Sequence, residues 1–189
     1  LLRRAVIDVS GETGGGTILV GGDYQGKNTS IQNATATYVG ADVTLHADAI
    51  TSGNGGKIIV WSDGATQVYG TLTARGGALS GDGGFVETSG KQFLDVTRAA
   101  DASAPQGKAG MWLLDPHNVT IQFTTGTLDG QTPAFSPVGV SPVGDNSTIL
   151  NTVINTALNA GTSVTIDTGS TGTQAGDITV IAAISKTAG

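Results

Sequence analysis

The feature that most constrains this chain is a short pattern that returns three times between residues 55 and 115. Gly55-Gly56 leads into Lys57-Ile58-Ile59-Val60-Trp61, Gly83-Gly84 into Phe85-Val86-Glu87-Thr88, and Ala109-Gly110 into Met111-Trp112-Leu113-Leu114. The first residues of these strand-like runs, Lys57, Phe85 and Met111, are 28 and then 26 residues apart. A near-constant period of strand units marks a solenoid, in which each coil buries its apolar face only by stacking on its neighbours. Shorter runs follow each first strand, at 66–69 and 71–74, then at 92–96 and more weakly at 98–101. Three strands per coil of 26–28 residues predict an all-β chain folded as a parallel β-helix. Like strands would then stack at about 4.8 Å.

Inward positions should form ladders, with Ile58 or Ile59 over Val86 and Trp112, and Val68 over Leu94. A one-residue slip exchanges the two faces, so the alternation alone leaves Ile58 and Ile59 both open. The glycines between strands fit corners of positive φ. Upstream, strands are expected at 6–9, 17–20, 36–39 and 43–47. Thr17 precedes Lys57 by 40 residues, and the surplus over one period predicts a protruding polar loop at 21–33.

Beyond Asp115-Pro116 the pattern changes. A strand at 118–123 gives way to a loop with Pro133, Pro137 and Pro142, and then to a helix. Ile149, Leu150, Val153, Ile154, Ala157 and Leu158 share one helical face, with Ser147 as N-cap and Gly161 at the C-terminus. Strands resume at 163–166 and 177–181. One continuous domain is expected, as β-helix coils over 1–123, a loop-and-helix insertion over 124–161, and resumed strands over 162–189. It reads as a piece of a longer chain.

Composition narrows the partners. A net charge of −6 with scattered Lys and Arg argues against nucleic acid, which needs clustered basic residues. The absence of cysteine excludes disulfides and thiolate metal sites. No apolar run approaches the roughly 20 residues that cross a bilayer as a helix, so no membrane insertion is expected.

Residues 55–121 resemble the repeat region of filamentous-haemagglutinin-like adhesins, the large exoproteins of bacterial two-partner secretion systems. The match is carried by Gly53-Asn54-Gly55-Gly56-Lys57-Ile58-Ile59-Val60-Trp61-Ser62-Asp63 and Tyr69-Gly70-Thr71-Leu72-Thr73-Ala74-Arg75-Gly76-Gly77. It continues through Gly81-Asp82-Gly83-Gly84-Phe85-Val86-Glu87-Thr88-Ser89-Gly90-Lys91 and Trp112-Leu113-Leu114-Asp115-Pro116. The 15–49 stretch and the run Leu158-Asn159-Ala160-Gly161-Thr162-Ser163-Val164-Thr165-Ile166 fit as well. The resemblance implies a right-handed parallel β-helix, export through an outer-membrane transporter, and a place at the bacterial cell surface. There the family serves adhesion, aggregation or biofilm formation, with host-cell, bacterial or matrix glycans or proteins as partners. The Asn-Pro-rich secretion motif of the family's transport domain does not occur here. The stretch therefore resembles the shaft beyond that domain, and the transporter contact is expected through that missing N-terminal domain.

Parallel β-helices also include carbohydrate-binding modules and polysaccharide-cleaving enzymes, so carboxylates and aromatics are weighed against plainer roles. Asp63 and Asp82 sit beside glycines, where turn hydrogen bonds account for them. Glu87 and Asp95 fall on outward strand positions and are the pair an enzyme would use. Turn-forming or solvated acids are the reading favoured for all of them, and no catalytic residue is expected. His46 and His117 lie in different segments, and neither a metal nor a cofactor is expected. Trp112 is expected in the core, whereas Trp61 and Tyr24 are the aromatic candidates for ligand contact. Of four Asn-x-Ser/Thr sequons, Asn28 and Asn33 in the 21–33 loop are the candidate glycosylation sites.

Overall fold

The computed structural model describes residues 1–124, 146–169 and 176–187. The first strands are β1 (Val6–Asp8), β2 (Thr17–Val20), β3 (Ala36–Val39), β4 (Thr44–His46), β5 (Lys57–Ser62), β6 (Ala65–Val68) and β7 (Thr71–Thr73). There follow β8 (Phe85–Gly90), β9 (Phe93–Val96), β10 (Met111–Pro116), β11 (Asn118–Gln122), β12 (Asn146–Leu150), β13 (Ser163–Ile166) and β14 (Ile178–Val180). One α-helix, α1 (Asn151–Asn159), joins β12 to β13. The strands form four sheets, ordered β2-β5-β8-β10-β13, β3-β6-β9, β1-β4-β7 and β12-β11-β14. Every pairing is parallel. The described chain is thus mostly β, with parallel strands and little helix.

The registers decide which residues face inward. Ile18, Ile58, Val86, Trp112 and Val164 form one column. All but the last are at most 4% exposed, which settles the inward choice on Ile58. Trp112 is fully buried, and its indole N–H donates to Thr88 Oγ1 at 3.0 Å inside the same column. The second ladder differs from the expectation: Val68 pairs with Val96, and Leu94 pairs with Thr66. Here β9 starts opposite Ala65, keeping the 28-residue offset of β5 to β8, and the Thr66 hydroxyl is satisfied by Ser62 at 2.9 Å. The third expected strand near Arg98 reduces to one bridge, Thr73 to Asp101.

The recurrent Gly-Gly pairs answer to close approach, not to the expected positive φ. Gly56, Gly84 and Gly110 donate their N–H to the carbonyls of Ala47, Ala74 and Ala102 at 2.7–2.8 Å. A Cβ on the preceding Gly55 or Gly83 would collide with the Ala74 or Ala102 carbonyl. Positive φ falls a little earlier, at Gly53 and Gly81.

The 124–161 segment is not purely a loop-and-helix insertion. Residues 146–150 pair with β11 as strand β12, and the same strand lies beside β9. Ser147, expected as a helix cap, is a fully buried strand residue whose Oγ accepts the Leu94 N–H at 2.9 Å. The helix begins at Asn151 with no side-chain cap. It buries Val153, Ile154 and Ala157, and Gly161 follows it at φ +90°. The proline-bearing loop lies outside the described residues.

Candidate functional site

Outward residues of the five-stranded sheet alternate with the inward column. Row by row they are Lys57, Phe85 and Met111, then Ile59, Glu87 and Leu113, then Trp61, Ser89 and Asp115. A solvated face would leave these residues wet, yet Ile59 and Glu87 have no exposed surface and Trp61 is 5% exposed. The cover is the 21–33 segment, which does not protrude as expected but lies across β5, β8 and β10 as a strap. Asp23 meets the Lys57 ammonium at 3.3 Å, and the Tyr24 ring packs on Phe85 with centroids 5.8 Å apart. Gln25 donates its backbone N–H to both Glu87 oxygens (3.1 and 3.3 Å) and its side-chain amide to Asp115 Oδ2 at 3.3 Å. Gly22 and Gly26 lie so close to the Trp61 indole that a Cβ on either would strike it at 2.6 Å.

These contacts settle the sequence candidates one by one. Trp61 is covered by the strap and presents no free ring face to a sugar. Tyr24 is 43% exposed, but its ring is already engaged by Phe85. Asn28 is exposed, and its amide donates to Asp23 Oδ2 at 2.9 Å. Asn33 is half-buried, and its amide donates to the Gly26 carbonyl at 3.0 Å and to Asp63 at 3.1 Å. Glu87 and Asp95 do not share a face. They stand on different sheets, Glu87 under the strap and Asp95 against the Tyr69 phenol, which donates to it at 2.5 Å. Asp82 accepts the Lys108 N–H at 2.8 Å, a turn role.

Burial dominates the electrostatics under the strap. Desolvation pushes the Glu87 carboxyl up to about 7 against the Gln25 N–H and the Ser89 hydroxyl, and the charges of Asp115 and Asp23 add to the rise. Asp115 is pushed up to about 6 by burial and by Asp167, with Gln25 and Lys27 opposing. Lys27, Lys91, Asp115 and His117 border a small pocket of about 80 Å³ at the edge of this cover.

The larger concavity, about 530 Å³, runs over the outer side of β1, β4 and β7 and was not anticipated. Asp8, His46 and Thr73 stack in register there, with Asp101 bridged to Thr73. Asp48 anchors the groove. Its carboxylate takes the Arg75 guanidinium at 2.8 Å, the Arg75 N–H at 2.7 Å and the Thr73 hydroxyl at 2.9 Å. Burial works to raise Asp48, but Arg75 and Thr73 outweigh it and hold the carboxyl below its usual range. An ionised carboxylate only accepts, so the Thr73 proton points to Asp48. His46 Nδ1, 2.7 Å from Thr73 Oγ1, must then be the donor. In the neutral ring this leaves Nε2 as the basic nitrogen. The groove therefore combines a fixed ion pair with an oriented imidazole and two flanking carboxylates, Asp8 and Asp101, each also accepting the N–H of a serine two residues on. Such a set suits hydrogen bonding to a polyhydroxylated ligand.

Among the described residues no three His, Asp or Glu side chains converge as a metal site, and no helix is long and apolar enough to cross a membrane. Compared with known proteins, the chain matches no family model and no curated sequence.

Proposed function

We propose that the chain is a right-handed parallel β-helical segment of a secreted bacterial surface adhesin of the filamentous-haemagglutinin-like class. The observation that carries this reading is the offset of the ladders. β5 pairs with β8 at 28 residues, β8 with β10 at 26, and β4 with β7 at 27, all parallel. Parallel strands at one constant offset are what stacked coils require, since each strand must return to the same side once per turn. The proposed role is mechanical: a stiff shaft at the cell surface that holds adhesive regions outward, reached by export through the two-partner transporter. It assigns no chemistry to Glu87 or Asp95, which stand on separate sheets.

A second reading, carbohydrate binding by this segment itself, is favoured by the groove around His46. Passing the purified chain over immobilised bacterial and host polysaccharides tests both, with retention and released reducing ends recorded together. Retention lost in His46→Ala and Arg75→Ala assigns binding to the groove. Release of reducing ends would overturn the non-enzymatic reading. Neither signal leaves the segment as shaft alone.

A further inference from the structure

We propose that the 21–33 strap is a pH-dependent latch, seated over the β5-β8-β10 face in mildly acidic solution and released as the medium turns alkaline. The geometry comes first. The strap closes on the outward face only, so it can lift without disturbing the Ile58-Val86-Trp112 column beneath. Its tip, Gln25, sits at φ 51°, a left-handed conformation that costs a non-glycine residue energy and persists only while neighbours hold it. The holding groups are Glu87 and Asp115, which receive its backbone and side-chain N–H groups. Beside it, the Trp61 indole nitrogen and Asn33 Oδ1 are buried without hydrogen-bond partners, so the closed strap also leaves polar groups that gain from water on opening.

The charges set the direction. Facing Glu87 are Asp23 and Lys27 from the strap, Lys57 from β5, Asp115 with His117 from β10 and the turn after it, and Asp167 beyond β13. Lys57 is already matched by Asp23 at 3.3 Å, and Lys27 donates to Gln25 Oε1 at 2.6 Å. Glu87 therefore has no cation of its own beneath the strap. Opening the strap returns it to water and to an ordinary carboxyl value, so the closed form holds its proton more tightly than the open form. Closure is then favoured below the raised value and weakened as pH rises through it.

The test is amide hydrogen exchange of the whole chain, corrected for the intrinsic pH dependence of exchange. With Glu87 moving from 4.5 to about 7, the protection of the Gln25 N–H should fall roughly thirtyfold between about pH 5.5 and 8.5. The amides of Ile58, Val86 and Trp112 should not follow. Glu87→Gln keeps an acceptor for the Gln25 N–H and should make its protection nearly independent of pH. Asp115→Asn, a second variant that leaves Glu87 in place, should shrink the fall without abolishing it. Unchanged protection in the native chain, an equal fall in Glu87→Gln, or a matching fall of the core amides would each overturn the latch. An equal fall in Glu87→Gln would place the titration on His117 instead.

Discussion

Asp95 lies within β9, 7% exposed, and its outward carboxylate depends on a single phenol. Tyr69 donates to it and in turn accepts from Gln67 at 3.0 Å, and burial together with the Asp95 charge holds the phenol protonated far above its usual range. Tyr69→Phe removes the donor and strands a buried carboxylate, which costs about 1–3 kcal/mol. The urea midpoint should fall with the slope unchanged, and adding Asp95→Asn should recover part of the loss. Recovery of nothing would show that Tyr69 acts through its ring packing on Tyr38. The same acid illustrates what a strand pattern can say. Alternation places Glu87 and Asp95 on outward positions correctly, but it is silent on what covers them. Glu87 is sealed by Gln25, 62 residues upstream, and no local signal announces so distant a contact. The His46-Asp48-Arg75 groove did leave a trace: His46-Ala47-Asp48, Thr73-Ala74-Arg75 and Asp101-Ala102-Ser103 each set a fully buried alanine between two polar residues.

At the scale of elements, strand β12 carries the sharpest prediction. Its Ser147 side chain stands in for a backbone carbonyl, taking the Leu94 N–H from the neighbouring sheet. Ser147→Ala leaves that buried N–H without an acceptor and should cost about 1–3 kcal/mol, whereas a helix cap at this position would lose only its typical ~1 kcal/mol. Hydrogen exchange separates the two, because only the strand role predicts faster exchange at Leu94. The Gly-Gly corners make a second prediction. Gly83→Val would drive a side chain into the Ala102 carbonyl and the Gly110 N–H, so the chain should lose its cooperative unfolding transition or fail to fold. First strands were legible because a Gly-Gly pair and a run of apolar residues mark each one. The second-strand ladder was missed by two residues because corner lengths vary and nothing in Lys91-Gln92 marks where β9 begins. The helix start was missed for a different reason. Ile149 and Leu150 satisfy a helical period and, with Ser147, also a strand period, and pairing with β11 chose the latter.

For the molecule as a whole, the buried acids predict an unusual pH profile. Glu87 and Asp115 have folded values raised above their unfolded ones, to about 7 and about 6, so each destabilises the fold once ionised. Their contribution is most favourable near and below the unfolded values of 4.5 and 3.8, and stability declines as pH rises through the folded ones. Asp48, lowered from 3.8, acts oppositely, and its ion pair with Arg75 is lost only under stronger acid. Together they place the stability maximum in mildly acidic solution, which urea titrations between about pH 4 and 8.5 would locate. Glu87→Gln should therefore stabilise the chain at the alkaline end, by up to about 3 kcal/mol, and change little at the acid end. The strap sets the size of that gain. If it opens before the chain unfolds, Glu87 reaches water while the core persists, and the global gain is capped at the cost of opening. A gain close to the full figure would mean that strap and sheets unfold as one unit. A smaller gain, alongside loss of Gln25 protection alone, would mean that the cover yields first and the stacked strands hold.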